Sequence, residues 1–166
     1  DGVLVDAREW HYAALNMALA GFGLNISRAD HLARFDGLPT SHKLHRMSAE
    51  QGLHPDLHGV ISELKQQYTR ELIQRHCRPD ADHQLALMQL AQAGFRMAVC
   101  SNSIRSTVKL MLDKADVVRH VEFFLSHQDV AHPKPAPDIY LAAAARMGLA
   151  LGQCLVVEDN QHGVDA

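Results

Sequence analysis

Four short apolar runs, separated from one another by helical segments, place the tightest limit on what this chain can fold into. They are GVLV at 2–5, FRMAVC at 95–100, FFLS at 123–126 and CLVV at 154–157. Each run is too short for a buried helix, and such runs are typical of strands that are buried on both faces. Their alternation with helical patterns predicts an α/β fold with a Rossmann-like parallel sheet as its core.

A long stretch of helical pattern separates the first of these runs from the other three. Between residues 9 and 77 the apolar residues recur at helical spacing, and Ser27 stands where a helix cap is needed. The pattern changes near Pro79, where strands and helices begin to alternate. We therefore expect a discontinuous α/β core of residues 1–8 and 78–166, with an inserted α-helical cap domain of residues 9–77.

Composition and charge argue against several classes of protein. The net charge of −3 and the pI near 6.5 give no basic excess for binding nucleic acid or an anionic membrane surface. No apolar run is long enough to span a bilayer. The cysteines are odd in number and widely spaced, at Cys77, Cys100 and Cys154, which favours a reduced, cytoplasmic setting over a disulfide framework. Nothing in the sequence indicates an oligomeric state.

The twelve histidines raise the question of a metal site. His42 and His45 are three residues apart, and His54 and His58 are four apart, so either pair can share a helical face. No cysteine or carboxylate cluster completes such a site. The interpretation we favour is that these histidines lie on solvated helix faces.

Polar residues follow the apolar runs, at the edge of a parallel sheet where ligands bind. Ser101 and Asn102 follow FRMAVC, Glu158 and Asp159 follow CLVV, and Lys134 stands between two prolines. Together they offer hydrogen-bond donors and a cation for a phosphoryl group, and carboxylates for Mg²⁺. Taken singly, each has a simpler interpretation: a helix cap for the serine, a solvated side chain for the lysine, and a favourable helix start for the acidic pair.

Four motifs, in order, resemble the haloacid dehalogenase superfamily, and more narrowly its β-phosphoglucomutase-like branch: DGVLVD, CSNS, KPAPDIY and VVEDNQHGVDA. The resemblance implies that Asp1 is the general acid/base and that its carbonyl is a ligand of Mg²⁺. It implies that Ser101 and Lys134 bind phosphate, with Asn102 beside them. Glu158 and Asp159 match the acidic motif that holds Mg²⁺, with Asp159 the direct ligand.

In the same pattern the nucleophilic aspartate stands two positions before Asp1, so we expect the chain to be clipped there, and also beyond Ala166. The implied function is a Mg²⁺-dependent phosphatase that hydrolyses a small phosphomonoester, such as a sugar phosphate, through an aspartyl-phosphate intermediate. The partner is then a small phosphorylated metabolite, and the helical cap closes over it.

Two alternatives stay open. In the mutase pattern a lysine and an arginine grip a second phosphate, but Asp36 and Thr40 stand in those positions here, which favours a phosphatase over a phosphosugar mutase. His11, which matches a histidine early in the mutase cap, is retained as a candidate substrate-binding residue, against a simpler role as a surface or hinge histidine. A non-catalytic relative that binds phosphorylated ligands is the third possibility.

Overall fold

The computed structural model describes residues 2–166. Its first half is helical, as the sequence predicts, and consists of α1 (Arg8–Ala20), α2 (Arg28–Asp30) continuing as a π-helical turn (His31–Phe35), α3 (Thr40–Gln51), a 3₁₀ turn (Pro55–Leu57) and α4 (His58–His76). Ser27 caps α2, accepting a hydrogen bond from the Asp30 amide. Gly52 ends α3 in the left-handed conformation at φ 71°.

The second half alternates helices and strands. It consists of α5 (Ala81–Gln92), β1 (Ala98–Ser101), α6 (Arg105–Lys114), β2 (Phe123–Ser126), α7 (Asp138–Met147) and α8 (Gln161–Asp165), with 3₁₀ turns at Val118–His120, His127–Asp129 and Leu151–Gln153. β1 and β2 pair in parallel, with Ala98 opposite Phe123 and Ser101 opposite Ser126. The prediction of an α/β fold with a parallel sheet is confirmed.

The sheet is smaller than the apolar runs suggest, because the predictions of strands at 2–5 and 154–157 are wrong. Within residues 2–166 the sheet has two strands. The first run instead forms tight turns, in which the Gly2 amide donates to the Val5 carbonyl at 2.8 Å. The last run is extended but unpaired, and Leu155 is 85% exposed. A strand needs neighbours to accept and donate its backbone hydrogen bonds, and an apolar pattern alone does not supply them.

Two clusters of buried apolar residues hold the elements together. One lies among α1, α3 and α4 and includes Leu15, Phe35 and Ile61. The other surrounds α6 and the sheet and includes Val108 and Leu112. The division into a helical cap of residues 9–77 and an α/β core stays a prediction, and the second cluster also includes Ile73 and Cys77 from the predicted cap. No helix within residues 2–166 is both long enough and apolar enough to cross a membrane.

Candidate active site

Lys134 lies buried at the edge of the sheet, where its ammonium forms an ion pair with Glu158. Only 6% of the Lys134 side chain and 10% of the Glu158 side chain are exposed. The Lys134 ammonium also donates to the Cys100 carbonyl at 2.9 Å, at the end of β1. The ammonium therefore lies within hydrogen-bond reach of Glu158. The peptide bond between Lys134 and Pro135 is cis.

Tyr140, on α7, completes the environment of this ion pair. Its hydroxyl donates to the same carboxylate oxygen of Glu158, and its ring lies 4.9 Å from the Lys134 ammonium. Burial, and then the hydrogen bond to Glu158, raises the pKa of Tyr140 well above its usual value. Glu158 in turn packs on Gly163, where a Cβ atom would lie 2.1 Å from the carboxyl carbon. The glycine of the sequence EDNQHG is therefore a close-approach position.

Asn102 ties the loop after β1 to the Lys134 turn by two hydrogen bonds. Its side-chain oxygen accepts from the Lys134 amide at 3.0 Å, and its side-chain nitrogen donates to the Lys134 carbonyl at 3.0 Å. The same nitrogen also donates to the Gly37 carbonyl at 3.1 Å, in the turn after the π-helical segment. Asn102 thus joins three segments that are far apart in the sequence.

Ser101 is buried at the end of β1, and its hydroxyl accepts a hydrogen bond from the Ser103 amide at 3.1 Å. Neither serine caps α6, because the residue in the cap position is Ile104, which makes no side-chain cap bond. The simpler interpretation of the SNS segment as a helix cap is therefore wrong. Ser101 and its neighbours instead shape the loop that leaves the sheet at its carboxyl edge.

Asp159 lies against the start of the described chain. A Cβ atom at Gly2, where φ is +79°, would come within 1.9 Å of the Asp159 carboxylate, so only glycine permits this approach. Arg8, in the first turn of α1, bridges two carboxylates, with Nη2 at 3.2 Å from Asp159 and Nε at 3.1 Å from Asp36. Asp36 therefore has a cationic partner that its position in the sequence does not reveal.

The Asp159 carboxylate is a suitable ligand for Mg²⁺, a hard ion that binds one or two carboxylates together with water and phosphate oxygens. Asp159 is 22% exposed at its side chain and faces the cavity described below, whereas Glu158 is already held by Lys134 and Tyr140. Residues 2–166 contain no group of three or more histidine, cysteine or acidic side chains placed to hold a metal. The histidine pairs provide none either, and the His45 and His58 rings pack edge to face.

A cavity of about 250 Å³ opens beside these residues. Its lining comes from both halves of the chain and includes Asp159, Asn102, His11, Lys43 and Lys65. Ser101, Lys134 and Glu158 are not among the residues that line it, and they lie behind Asn102 and Asp159.

His11 lies between Lys65 and Ser103 in the lining of this cavity. Its Nδ1 lies 3.2 Å from the Lys65 ammonium, and its Nε2 lies 3.4 Å from the Ser103 hydroxyl. Burial lowers the pKa of His11 well below its usual value, and the charges of Lys65 and Lys43 lower it further. A neutral imidazole is therefore favoured here.

The structure thus brings Asn102, Lys134, Glu158 and Asp159 together at one edge of the sheet, and His11 lines the adjacent cavity with its Nε2 beside the Ser103 hydroxyl. Asp1, predicted to be the acid/base and a metal ligand, lies outside the described residues. Sequence reasoning missed Arg8, Lys43, Lys65 and Tyr140. Tyr140 is the last residue of the motif KPAPDIY, so its presence near Lys134 could have been predicted from the sequence. The other three sit on ordinary helical patterns, and only the packing of α1, α3 and α4 shows that they face a cavity.

The site and fold together define a protein class, which comparison with known proteins confirms. The chain belongs to the haloacid dehalogenase-like hydrolase family, whose model matches residues 1–166. The fold is that of a β-phosphoglucomutase from Clostridium difficile, at a TM-score of 0.86 and 20% identity, covering 99% of this chain and 75% of that one. The structure of CbbY from Rhodobacter sphaeroides in complex with phosphate is similar at a TM-score of 0.78 and 21% identity, covering 90% and 70%.

Among relatives by sequence, the fructose-1-phosphate phosphatase YqaB of Escherichia coli is 27% identical over all of this chain and 86% of its own length. A phosphoglycolate phosphatase of Shigella boydii is 24% identical over all of this chain and 73% of its length. A haloacid dehalogenase-like hydrolase domain-containing protein of Arabidopsis thaliana is 34% identical over 64% of this chain. The matched segment is only 35% of that protein.

Proposed function

We propose that this protein is a Mg²⁺-dependent phosphatase that hydrolyses a small phosphomonoester through an aspartyl-phosphate. One observation carries the proposal: three segments that are distant in sequence, 101–102, 134 and 158–159, meet at the carboxyl edge of the sheet beside a cavity. That edge is where parallel α/β folds bind ligands. The named phosphatases among the relatives support the same reaction class.

In the proposed reaction the carboxylate expected two positions before Asp1 attacks phosphorus, and the phosphorus–oxygen ester bond breaks. The leaving oxygen takes a proton from Asp1. Water then attacks the acyl phosphate, with Asp1 accepting its proton, and inorganic phosphate leaves as the carboxylate is regenerated. The same group thus acts first as acid and then as base.

The described residues have supporting roles in this scheme. Ser101 accepts from the Ser103 amide and donates its own hydroxyl proton to a phosphoryl oxygen, and Asn102 fixes that loop against the Lys134 turn. Lys134 supplies positive charge behind the phosphate and is held in place by Glu158. Asp159 would hold Mg²⁺ together with the carbonyl of Asp1. When bound, the ion would reduce the repulsion between the negatively charged nucleophile and the negatively charged substrate as they approach each other.

The test is phosphate release from fructose 1-phosphate and phosphoglycolate by the protein carrying its encoded upstream residues. Ser101→Ala should lower kcat/KM by about 10²-fold, the typical loss of one donor to a developing negative charge. Ser106→Ala is the matched control, since Ser106 is exposed in the first turn of α6 and outside the cavity lining. Equal rates for the two serine variants would contradict the role given to Ser101.

A phosphosugar mutase is the second candidate, because the cavity contains cations that the sequence pattern appeared to lack. A mutase returns the phosphoryl group to a second hydroxyl of the sugar. Phosphorus NMR on a hexose phosphate separates the two: a phosphatase accumulates inorganic phosphate, whereas a mutase accumulates an isomeric ester.

A further inference from the structure

Arg8 lies between two carboxylates, and one of them belongs to Asp159, the predicted ligand of Mg²⁺. The Arg8 Nη2 atom lies 3.2 Å from Asp159 Oδ2, and its Nε atom lies 3.1 Å from Asp36 Oδ2. All three residues line the cavity. A divalent cation that binds Asp159 therefore meets a guanidinium already placed on one of the two carboxylate oxygens. Because like charges repel at this distance, Arg8 and Mg²⁺ compete for Asp159.

The second oxygen of Asp159 also has a donor, but this donor is neutral. The Asn160 side-chain nitrogen donates to Asp159 Oδ1 at 3.2 Å. The Asn160 side-chain oxygen accepts from the Gly163 amide at 3.1 Å and so caps α8. The amide group carries no net charge to repel a cation, and its oxygen is held by the helix. Of the two donors, Arg8 is therefore the one that a cation displaces.

The guanidinium can move more easily than the carboxylate. Asp159 packs so closely on Gly2 that a Cβ atom at Gly2 would lie 1.9 Å from a carboxylate oxygen. The Arg8 side chain, in contrast, is 39% exposed. Its Nε and Nη2 are separate donors of one group, so the contact with Asp159 can be lost while the contact with Asp36 is kept.

Asp36 determines how firmly Arg8 holds Asp159. The other basic group close to Asp36 is His31, whose Nε2 lies 3.8 Å from Asp36 Oδ1. Burial, and then the charge of Lys43, lowers the pKa of His31 to about 4, so His31 is neutral near pH 7 and does not compete with Arg8. The charge of Asp36 therefore attracts Arg8 away from Asp159. Without that charge, Arg8 would bind Asp159 more strongly.

We propose that Arg8 is a positioning residue that exchanges with Mg²⁺ at Asp159, and that Asp36 retains the displaced guanidinium and so sets the affinity for the metal. This inference rests on the proposed function for the role of Asp159 as a metal ligand. The exchange replaces one cation by another, so the Asp159 carboxylate keeps a positive charge beside it throughout. It also gives a role to Asp36, which stands where the mutase pattern has a lysine.

The test is calorimetric titration of MgCl₂ into the protein with its encoded upstream residues. Arg8→Gln should bind Mg²⁺ about threefold or more tighter than wild type, because the competing charge is gone. Asp36→Asn should bind it about threefold or more weaker, because Arg8 then interacts with Asp159 alone. Arg28→Gln is the matched control. It removes the same charge from an ion pair with Glu9 outside the cavity lining, and should leave the Mg²⁺ affinity within about twofold of wild type.

The double variant Arg8→Gln/Asp36→Asn separates the exchange from a simple attraction between Asp36 and the metal. If Asp36 acts through Arg8, the double variant should bind Mg²⁺ within about twofold of Arg8→Gln. The inference is overturned if Asp36→Asn weakens binding equally in both backgrounds, or if Arg8→Gln binds no more tightly than wild type.

Asp159→Asn distinguishes failure of this inference from failure of the proposed function. Binding of Mg²⁺ that survives this substitution would refute the metal role of Asp159 and the exchange with it. Binding that is lost with Asp159→Asn but unchanged in Arg8→Gln would refute the exchange alone. The side chains of Arg8, Asp36 and Asp159 are 39%, 25% and 22% exposed, so each variant should fold.

Discussion

Removing the Lys134 ammonium should destabilise the protein far more than removing an exposed one. The Lys134 side chain is 6% exposed, so Lys134→Met leaves the Glu158 carboxylate buried, with Tyr140 as its remaining side-chain donor among residues 2–166. Leaving one member of a buried ion pair without its partner costs about 3–5 kcal/mol. For a chain of this size, each kcal/mol lowers Tm by about 2–4 °C, so the expected fall is roughly 6–20 °C. Urea denaturation followed by circular dichroism measures the loss of free energy directly.

The double variant Lys134→Met/Glu158→Gln separates a charge effect from a packing effect. With both charges gone, the site is neutral and Tyr140 can still donate to the amide oxygen, so most of the lost stability should return. Lys109→Met is the control, because its ion pair with Asp113 is 64% and 42% exposed and should be worth about 0.3–0.5 kcal/mol. The reasoning is refuted if Lys134→Met costs no more than Lys109→Met, or if the double variant loses the sum of the single losses.

Three further variants test the fold and its charges. Phe35→Ala should cost about 3–5 kcal/mol of unfolding free energy, because Phe35 is fully buried, whereas Phe95→Ala, at 59% exposure, should cost about 0.5 kcal/mol or less; equal losses in urea denaturation would contradict the cluster around α1 and α4. Asp80→Ala should lower Tm, because its carboxylate accepts from the Asp82 and His83 amides at the start of α5, and an unchanged Tm would contradict this cap. Lys65→Met should stabilise most at acidic pH. Burial lowers the pKa of Lys65 in the folded protein from 10.5 to about 7, so between those values the unfolded state binds more protons and wild-type stability rises with pH. The advantage of Lys65→Met over wild type should therefore shrink from pH 6 to pH 10, and a constant difference would show that Lys65 is not buried as a charge.

Much of the fold could be predicted locally from the sequence, and the exceptions share one cause. Helices with caps and stops, such as the one that begins after Asp80, and the paired runs at 98–101 and 123–126 follow from spacing and local chemistry. The run at 154–157 has the same apolar pattern but is exposed. The apolar pattern of a run indicates which side chains favour burial. A strand also needs a neighbouring strand to pair with, and the residues of the run do not specify that neighbour.

Some contacts of the candidate site could likewise be predicted from the sequence, and others could not. The sequence predicts that Lys134 and Glu158 lie close together, because polar residues that follow parallel strands converge at one edge of the sheet. The two residues do form an ion pair, although the run before Glu158 is unpaired. The positions of Lys43 and Lys65 in the cavity could not be predicted, since each looks like an ordinary polar position on an amphipathic helix until α3 and α4 are packed. Asp36 and Thr40 stand where the mutase pattern has a lysine and an arginine, which predicts a cavity with few cations. In the structure, Arg8, Lys43 and Lys65 line the cavity from other positions.

The most direct test of the proposed chemistry is Mg²⁺-dependent hydrolysis of p-nitrophenyl phosphate by the protein with its encoded upstream residues. Activity should vanish with a chelator and return with Mg²⁺. Asp159→Asn and Asp1→Asn should each lose about 10²-fold or more, as expected for groups that act on the phosphoryl group or its charge. Asp165→Asn, at the end of α8, is the matched control and should keep full activity. Residues 1–166 alone should give no turnover. Hydrolysis that is unaffected by the chelator, or that survives both Asp1→Asn and Asp159→Asn, would contradict the proposed chemistry.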